Sequence, residues 1–379
     1  MLTDARLTPA GRRTRPERLV AVVDGASVTF RAGLTRCGRL LFGALAGLVV
    51  VSCAPDDLVP AVTTTVEEVT STTEASSETS TTSVVTSVAE ESDRTGAAEL
   101  PLRFTEVAGT MWEGRIVVVG GLDAGGEASD RTYIYDPEAD SWASGPNLLV
   151  GLHHTAVTTL GDRVYVVGGY SGGERGWVPE AAVWSLGPGD ESWLAEPDLA
   201  TARGALAVVS MGDRLLAIGG VGPDAEYLAS TEVLEPGDSE WQPGPELAEP
   251  REHLAATSAG DRVYAIAGRT GGMDTNKSSV EVLVSEEWDE APSLNFTRGG
   301  IGAATVDGMP CVAGGEEPEG TIGTVECLVD GTWQVVAELE VPRHGLAVVA
   351  MEGAIHVIGG GPSPGLATSG AHEVIVVEG

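Results

Sequence analysis

Residues 205–220 read ALAVVSMGDRLLAIGG. Two short apolar runs flank Gly212-Asp213, a pair that tolerates the positive φ of a two-residue hairpin turn, so the stretch doubles back as two antiparallel strands. The apolar residues run almost without interruption rather than alternating, which means that both faces of these strands are buried. The second strand ends in two glycines.

The same unit recurs along the chain. Its closing strand reads IVVVGG to Gly121, VYVVGG to Gly169, LLAIGG to Gly220, VYAIAG to Gly268, CVAGG to Gly315 and IHVIGG to Gly360, at spacings of 48, 51, 48, 47 and 45 residues. A tryptophan follows each of the first five at a similar offset: Trp142, Trp193, Trp241, Trp288 and Trp333. Two markers sharing one period identify a repeat array. Each unit reads as four strands. In the third, ALAVVS is strand A, LLAIGG strand B, STEVLE strand C after a longer loop, and strand D begins near Trp241. Turn pairs at 161–162, 212–213, 260–261 and 307–308, within a chain holding 51 Gly and 21 Pro, suit many tight turns between short strands.

A double glycine closing the second strand, a Tyr or apolar position in the third and a Trp opening the fourth resemble the kelch repeat. The first unit carries the pattern most fully, in VVVGG…YIYDPEADSW. Later units lose the Tyr-Asp pair, and the fourth has Ala267 at the first glycine. The resemblance covers about residues 96–379 and implies an all-β fold, a six-bladed kelch-type β-propeller with four antiparallel strands per blade. The last unit, RHGLAVVAMEGAIHVIGG…AHEVIVVEG, stops after strand C. Residues 96–102, GAAELPL, match what stands between Trp and Arg elsewhere, as in VVAELEVPR. The N-terminal segment is therefore expected to supply the outer strand of blade six and close the ring.

Ahead of the repeats, residues 31–53 place Arg31, Arg36 and Arg39 before a 12-residue apolar run, Leu40 to Val51. That run is short for a bilayer span, and the arrangement reads as a secretory signal. Val50-Val51-Ser52-Cys53 resembles the lipobox of bacterial lipoproteins, which implies a diacylglyceryl group on Cys53 and cleavage before it. An uncleaved short anchor with Cys53 incidental is the other reading. The expected organisation is a basic region and signal over 1–52, an anchor and Ser/Thr/Glu-rich stalk over 53–95, and the propeller over 96–379. The stalk has too little apolar content to offset the entropy of ordering it. Membrane contact is expected through the lipid alone, on the outer face of the cell membrane.

Charge narrows the partners. Residues 54–379 hold 14 basic and 53 acidic residues, a surface that repels nucleic-acid phosphates. The cysteines Cys37, Cys53, Cys311 and Cys327 match no zinc spacing. Cys311 on strand B and Cys327 on strand C of blade five are a candidate disulfide, permitted by secretion.

One register gathers candidate binding residues. Arg203, Arg251, Arg298 and Arg343 stand 17 residues before the second glycine, with Arg103 one place off in unit one. Unit two has Leu152 there, then His153 and His154, while His253 and His344 lie one or two places further on in their units. This register starts the innermost strand, at the mouth from which the long loops between strands B and C (BC loops) emerge. The arginines suit either of two roles: bonding loop carbonyls of the next blade and bridging to acids, or gripping an anion or carboxylate. A metal site through the histidines is not expected, because a propeller mouth separates them, and no cofactor is expected. Glu174, Glu226, Glu252 and Asp274 are acids near the mouth, read as solvated. Trp177, in a loop, suits contact or loop packing.

These features favour a non-enzymatic module that binds a protein or a carbohydrate or anionic ligand. The alternative is an enzyme resembling the kelch sugar epimerases that act on sialic acid, in which Arg grips a carboxylate and Glu moves a proton. A copper oxidase resembling galactose oxidase is disfavoured. That family needs a Cys crosslinked to Tyr, and Cys311 and Cys327 belong to strands.

Overall fold

The computed structural model describes residues 95–377 apart from 174, 175 and 236, together with four short strands before residue 50. The chain divides into two compact units, Met1–Val84 and Val85–Gly379. In the first, Ala21–Asp24 pairs with Ser27–Phe30 and Phe42–Gly43 with Leu48–Val49. Cys53 and the stalk up to residue 94 lie outside the described residues.

The second unit contains six antiparallel four-stranded sheets, each in the order A-B-C-D. The A strands are Ala108–Trp112, Ala156–Leu160, Ala207–Met211, Ala255–Ala259, Gly302–Val306 and Ala347–Met351. Each touches the A strands of both neighbouring blades, and the sixth returns to the first, so the sheets form a closed ring. Buried side chains fall into six clusters, one for each seam between blades. This is why strands A and B read as unbroken apolar runs: each face meets a neighbouring blade.

The double glycine has a steric cause. A Cβ on Gly120 would lie 2.5 Å from the carbonyl oxygen of Leu152 in the next blade, and Gly120 sits at φ 67°. The following amide, Gly121 N–H, donates to that same carbonyl at 2.9 Å. Gly168, Gly219 and Gly314 meet the carbonyls of Arg203, Arg251 and Arg343 in the same way. The tryptophans also join neighbours. The indole N–H groups of Trp193, Trp241, Trp288 and Trp333 donate to Pro146, Pro197, Pro245 and Pro292 of the preceding blade at 2.8–3.0 Å. In blade one, Trp142 donates instead to Ala98, in the N-terminal segment, at 2.7 Å.

That segment closes the ring. Thr95–Gly96 pairs antiparallel with His372–Val376 and becomes the fourth strand of blade six. The pairing continues through Ala97 N–H to His372 and Leu100 N–H to Gly370. In blade five, Cys311 and Cys327 oppose one another on strands B and C and are joined by a disulfide. Both are fully buried in the seam with blade six.

Candidate functional site

Counting back from the second glycine of each blade, three successive positions face three different surroundings. The first, 17 residues before that glycine, is occupied by Phe104, Leu152, Arg203, Arg251, Arg298 and Arg343, all of them buried. Here the anion-gripping reading of the arginines is corrected, because none of the four reaches the mouth cavity. Each folds back into its own blade rather than onto the next. Arg203 donates to the carbonyls of Gly219 and Ser230 at 3.0 and 2.9 Å and to Glu232 at 2.6 Å. Arg251 pairs likewise with Glu281 at 2.7 Å, Arg298 with Glu326 at 2.6 Å, and Arg343 with Glu373. Burial pushes the Arg298 guanidinium down to about 10, which still leaves it charged at neutral pH. Where the chain has Phe104 or Leu152 instead of Arg, strand C has Tyr133 or Trp184 instead of Glu. An apolar pair thus replaces the ionic one. Arg103 is exposed and lies beside the Asp123–Arg131 loop, outside the lining of the mouth cavity.

The second position bridges to the residue after the second glycine. The pairs are Thr105 with Leu122, His153 with Tyr170, Gly204 with Val221, Glu252 with Arg269, Gly299 with Glu316 and His344 with Gly361. The third position turns toward the axis and holds Glu106, His154, Ala205, His253, Gly300 and Gly345, all with φ between 48° and 67°. These six residues form a ring of backbone hydrogen bonds. His154 N–H donates to Glu106, Ala205 to His154, His253 to Ala205, Gly300 to His253 and Gly345 to Gly300, at 2.8–3.2 Å, and Val107 N–H completes the circle on Gly345. Two blades meet the demand for positive φ with glycine. Three meet it with Glu or His and one with Ala205, which costs about 1–2 kcal/mol per residue. Unfavourable backbone at ionisable residues that converge on one point makes them a candidate functional site.

Above this ring lies a cavity of about 670 Å³. Glu106, His154, His253 and His344 form its floor, Glu252, Arg269 and Glu316 its polar wall, and Tyr170, Trp177 and Tyr227 its aromatic wall. His154 Nε2 is 3.2 Å from Glu106, and His344 Nδ1 is 3.2 Å from the other oxygen of that carboxylate. Arg269 spans Glu252 at 3.2 Å and Glu316 at 2.9 Å, and His253 Nδ1 meets Glu252. The expectation that a propeller mouth keeps its histidines apart is corrected as well: the rings of His154 and His253 are 4.7 Å apart. Only Ala205 stands between them in the ring, and its methyl leaves them room to meet.

Burial drives His154 well below the ordinary imidazole range. Burial alone would raise Glu106, but His154 and His344 pull it well below the usual carboxylate range. Burial disfavours the charged form of His344 too, yet Glu106 and Glu316 outweigh it and raise its pKa.

His153 does not line the cavity. It is fully buried, stacks on Tyr170 at 5.6 Å, and sets its Nδ1 2.6 Å from Nδ1 of His154. Trp177 is 48% exposed and overhangs both histidines, with ring centroids 4.7 and 5.0 Å from them. Glu252, read from the sequence as solvated, is buried. Glu226 is exposed, and its carboxylate accepts the amide of Asp224 within its own loop. Glu174 lies outside the described residues.

Sequence reading missed Glu106, Arg269, Glu316, Tyr170 and Tyr227. Aligning the six units on their second glycine and reading the position 15 residues before it and the one just after it would have found the first four.

Repeats and ring together define a kelch-type, six-bladed β-propeller. Residues 103–149 and 202–248 each match the Kelch motif. Human Kelch-like protein 34 is 38% identical over 92 residues, 24% of this chain and 14% of that protein. Galactose oxidase of Gibberella zeae is 33% identical over 109 residues, 28% of this chain and 15% of its own length. Beta-scruin of Limulus polyphemus is 27% identical over 138 residues, 35% of this chain and 15% of its own length. The chain therefore spans only 14–15% of the length of these relatives. The solved structure of YjhT shares the fold, with a TM-score of 0.66 at 15% identity over 74% of this chain and 97% of that one.

Proposed function

We propose that this chain is an extracytoplasmic lipoprotein, anchored through Cys53, whose propeller binds a ligand in the cavity at its BC-loop mouth. One observation carries the reading of the mouth. Glu106, His154 and His253 hold a backbone conformation that two of the other three blades satisfy with glycine, and they converge beneath a cavity large enough for a small molecule. The kelch fold suits a binding module, and its loops supply the walls. The alternative of an enzyme gripping a carboxylate-bearing sugar lacks its main requirement, because Arg269, the guanidinium in the wall, is already held between Glu252 and Glu316. The cavity instead favours a neutral polar or cationic ligand.

The apolar run Leu40 to Val51, two residues before Cys53, supports the anchor, and the described residues include no helix long and apolar enough to cross a membrane. Changing Cys53 to Ala, or inhibiting lipoprotein signal peptidase with globomycin, is expected to block processing to the lipid-bearing form. Fractionation and intact mass read the outcome, and unaltered membrane association and mass under both treatments would refute the anchor. For the mouth, a thermal-shift screen of carbohydrates and small cations is the test, since a ligand that binds only the folded form raises the melting temperature by mass action. The rise is expected to vanish in His253→Gly. A ligand whose shift survived that change would bind elsewhere.

A further inference from the structure

We propose that Glu106, His154 and His253 form a site for a single divalent transition-metal ion of the zinc type, open on one side to the mouth cavity. The inference deepens the mouth-binding function and rests on it, by naming the chemistry of what the floor of the cavity takes. The ligating atoms of the three residues all lie within 4.8 Å of one another. A tetrahedral ion with bonds of about 2.0–2.1 Å needs its ligands about 3.4 Å apart. Glu106 and His154 already stand at 3.2 Å, so His253, the most exposed of the three, is the one that must move inward.

Three further features fit an ion. The first is the donor set. Two imidazole nitrogens and one carboxylate suit zinc and its transition-metal neighbours, whereas calcium and magnesium prefer oxygen alone. The second is outer support. His153 Nδ1 lies 2.6 Å from His154 Nδ1, so when His154 donates there its Nε2 presents a lone pair toward Glu106. In that tautomer a cation between the two acceptors would be coordinated by both. Glu252 holds Nδ1 of His253 and leaves Nε2 to coordinate, a carboxylate–histidine arrangement common behind metal ligands. The third is charge and geometry together. Glu106, Glu252 and Glu316 outnumber the one guanidinium of Arg269, and the ring of backbone hydrogen bonds fixes all three ligand-bearing residues. Three protein ligands leave a fourth position facing the cavity beneath Trp177 and Tyr227, as in sites where the ion meets a ligand or water.

The test uses full-length protein stripped with a chelator and then titrated with Zn(II), with bound metal counted after dialysis. One ion per chain is expected. Co(II) in its place is expected to give the visible bands of a four- or five-coordinate site. Glu106→Gln and His253→Ala should lose the ion while still melting cooperatively, and His153→Ala should weaken binding by about 10–100-fold. His356→Ala, at a histidine pair in the seam between blades six and one, should keep it. Absence of Zn(II) binding by the wild type would overturn the proposal, as would binding that survives His253→Ala or is lost only in His356→Ala. A carbohydrate that binds the chelator-treated wild type but not His253→Gly, with no Zn(II) bound to either, would remove the metal and leave mouth binding standing.

Discussion

Deleting residues 95–102 is expected to abolish the cooperative melt of the propeller, whereas deleting residues 54–90 should leave it unchanged. The short segment does several jobs at once. It supplies the outer strand of blade six, covering the edge of His372–Val376. Ala98 accepts the indole N–H of Trp142 at 2.7 Å, and its own amide donates to Asp140 at 2.7 Å, so the same residue ties blade six to blade one. Leu100 is buried in the seam beside Phe104, Val107 and Tyr133. Loss of a buried leucine alone costs about 2–5 kcal/mol, a large part of the roughly 5–15 kcal/mol by which a domain is stable. The deletion removes the hydrogen bonds of the clasp as well and exposes a strand edge prone to association. Differential scanning calorimetry of the two deletions decides the matter, and equal tolerance of both would refute the closure.

Arg298→Ala is expected to cost about 3–5 kcal/mol, because it leaves a carboxylate buried without its partner. Both Arg298 and Glu326 are 0% exposed. The guanidinium donates to the carbonyls of Gly314 and Thr324 at 3.0 Å each and to Glu326 at 2.6 Å. Glu326 also accepts the amide of Asn295 at 2.8 Å, which ties in the chain entering the blade. The chain itself suggests the rescue. Blade two fills the same two positions with Leu152 and Trp184, so Arg298→Leu combined with Glu326→Trp should recover much of what Arg298→Ala loses. Urea denaturation measures all three proteins. A loss below about 1 kcal/mol for the single change, in the range of exposed ion pairs, would mean that the pair is not buried in solution.

The fold could be read from the sequence because it rests on short-range rules repeated six times. In four of the six units the first glycine avoids a carbonyl of the next blade, while blade four places Ala267 there; the apolar runs follow from burial on two faces, and the Trp from its bond to the blade before. Closure was legible because the last unit lacks a strand D that residues 96–102 resemble. The site was only partly legible. The arginine register stood out by charge, yet a position that alternates between Arg with Glu and Phe or Leu with an aromatic is a packing position. Recognising that requires knowing that its strand C partner changes with it. Glu106 was hidden because one acid among the 53 of residues 54–379 carries no signal of its own. What singles it out is its positive φ and its place in a ring with His154 and His253, which brings together residues about 50 and 100 positions apart in sequence.

The central claim is that the inner ring carries its ionisable residues for binding rather than for stability, and the melting temperature of His253→Gly tests it most directly. If the claim holds, glycine relieves the positive φ just as it does at Gly300 and Gly345, and Glu252 keeps its partner Arg269. The opposing entropy that glycine gives the unfolded chain, about 0.4–1 kcal/mol, offsets about half of that relief. The account therefore predicts a melting temperature equal to or slightly above that of the wild type, together with loss of the ligand-induced rise. A fall comparable to that of Arg298→Ala would contradict it, and would make the ring a structural feature like the buried arginines one layer beneath.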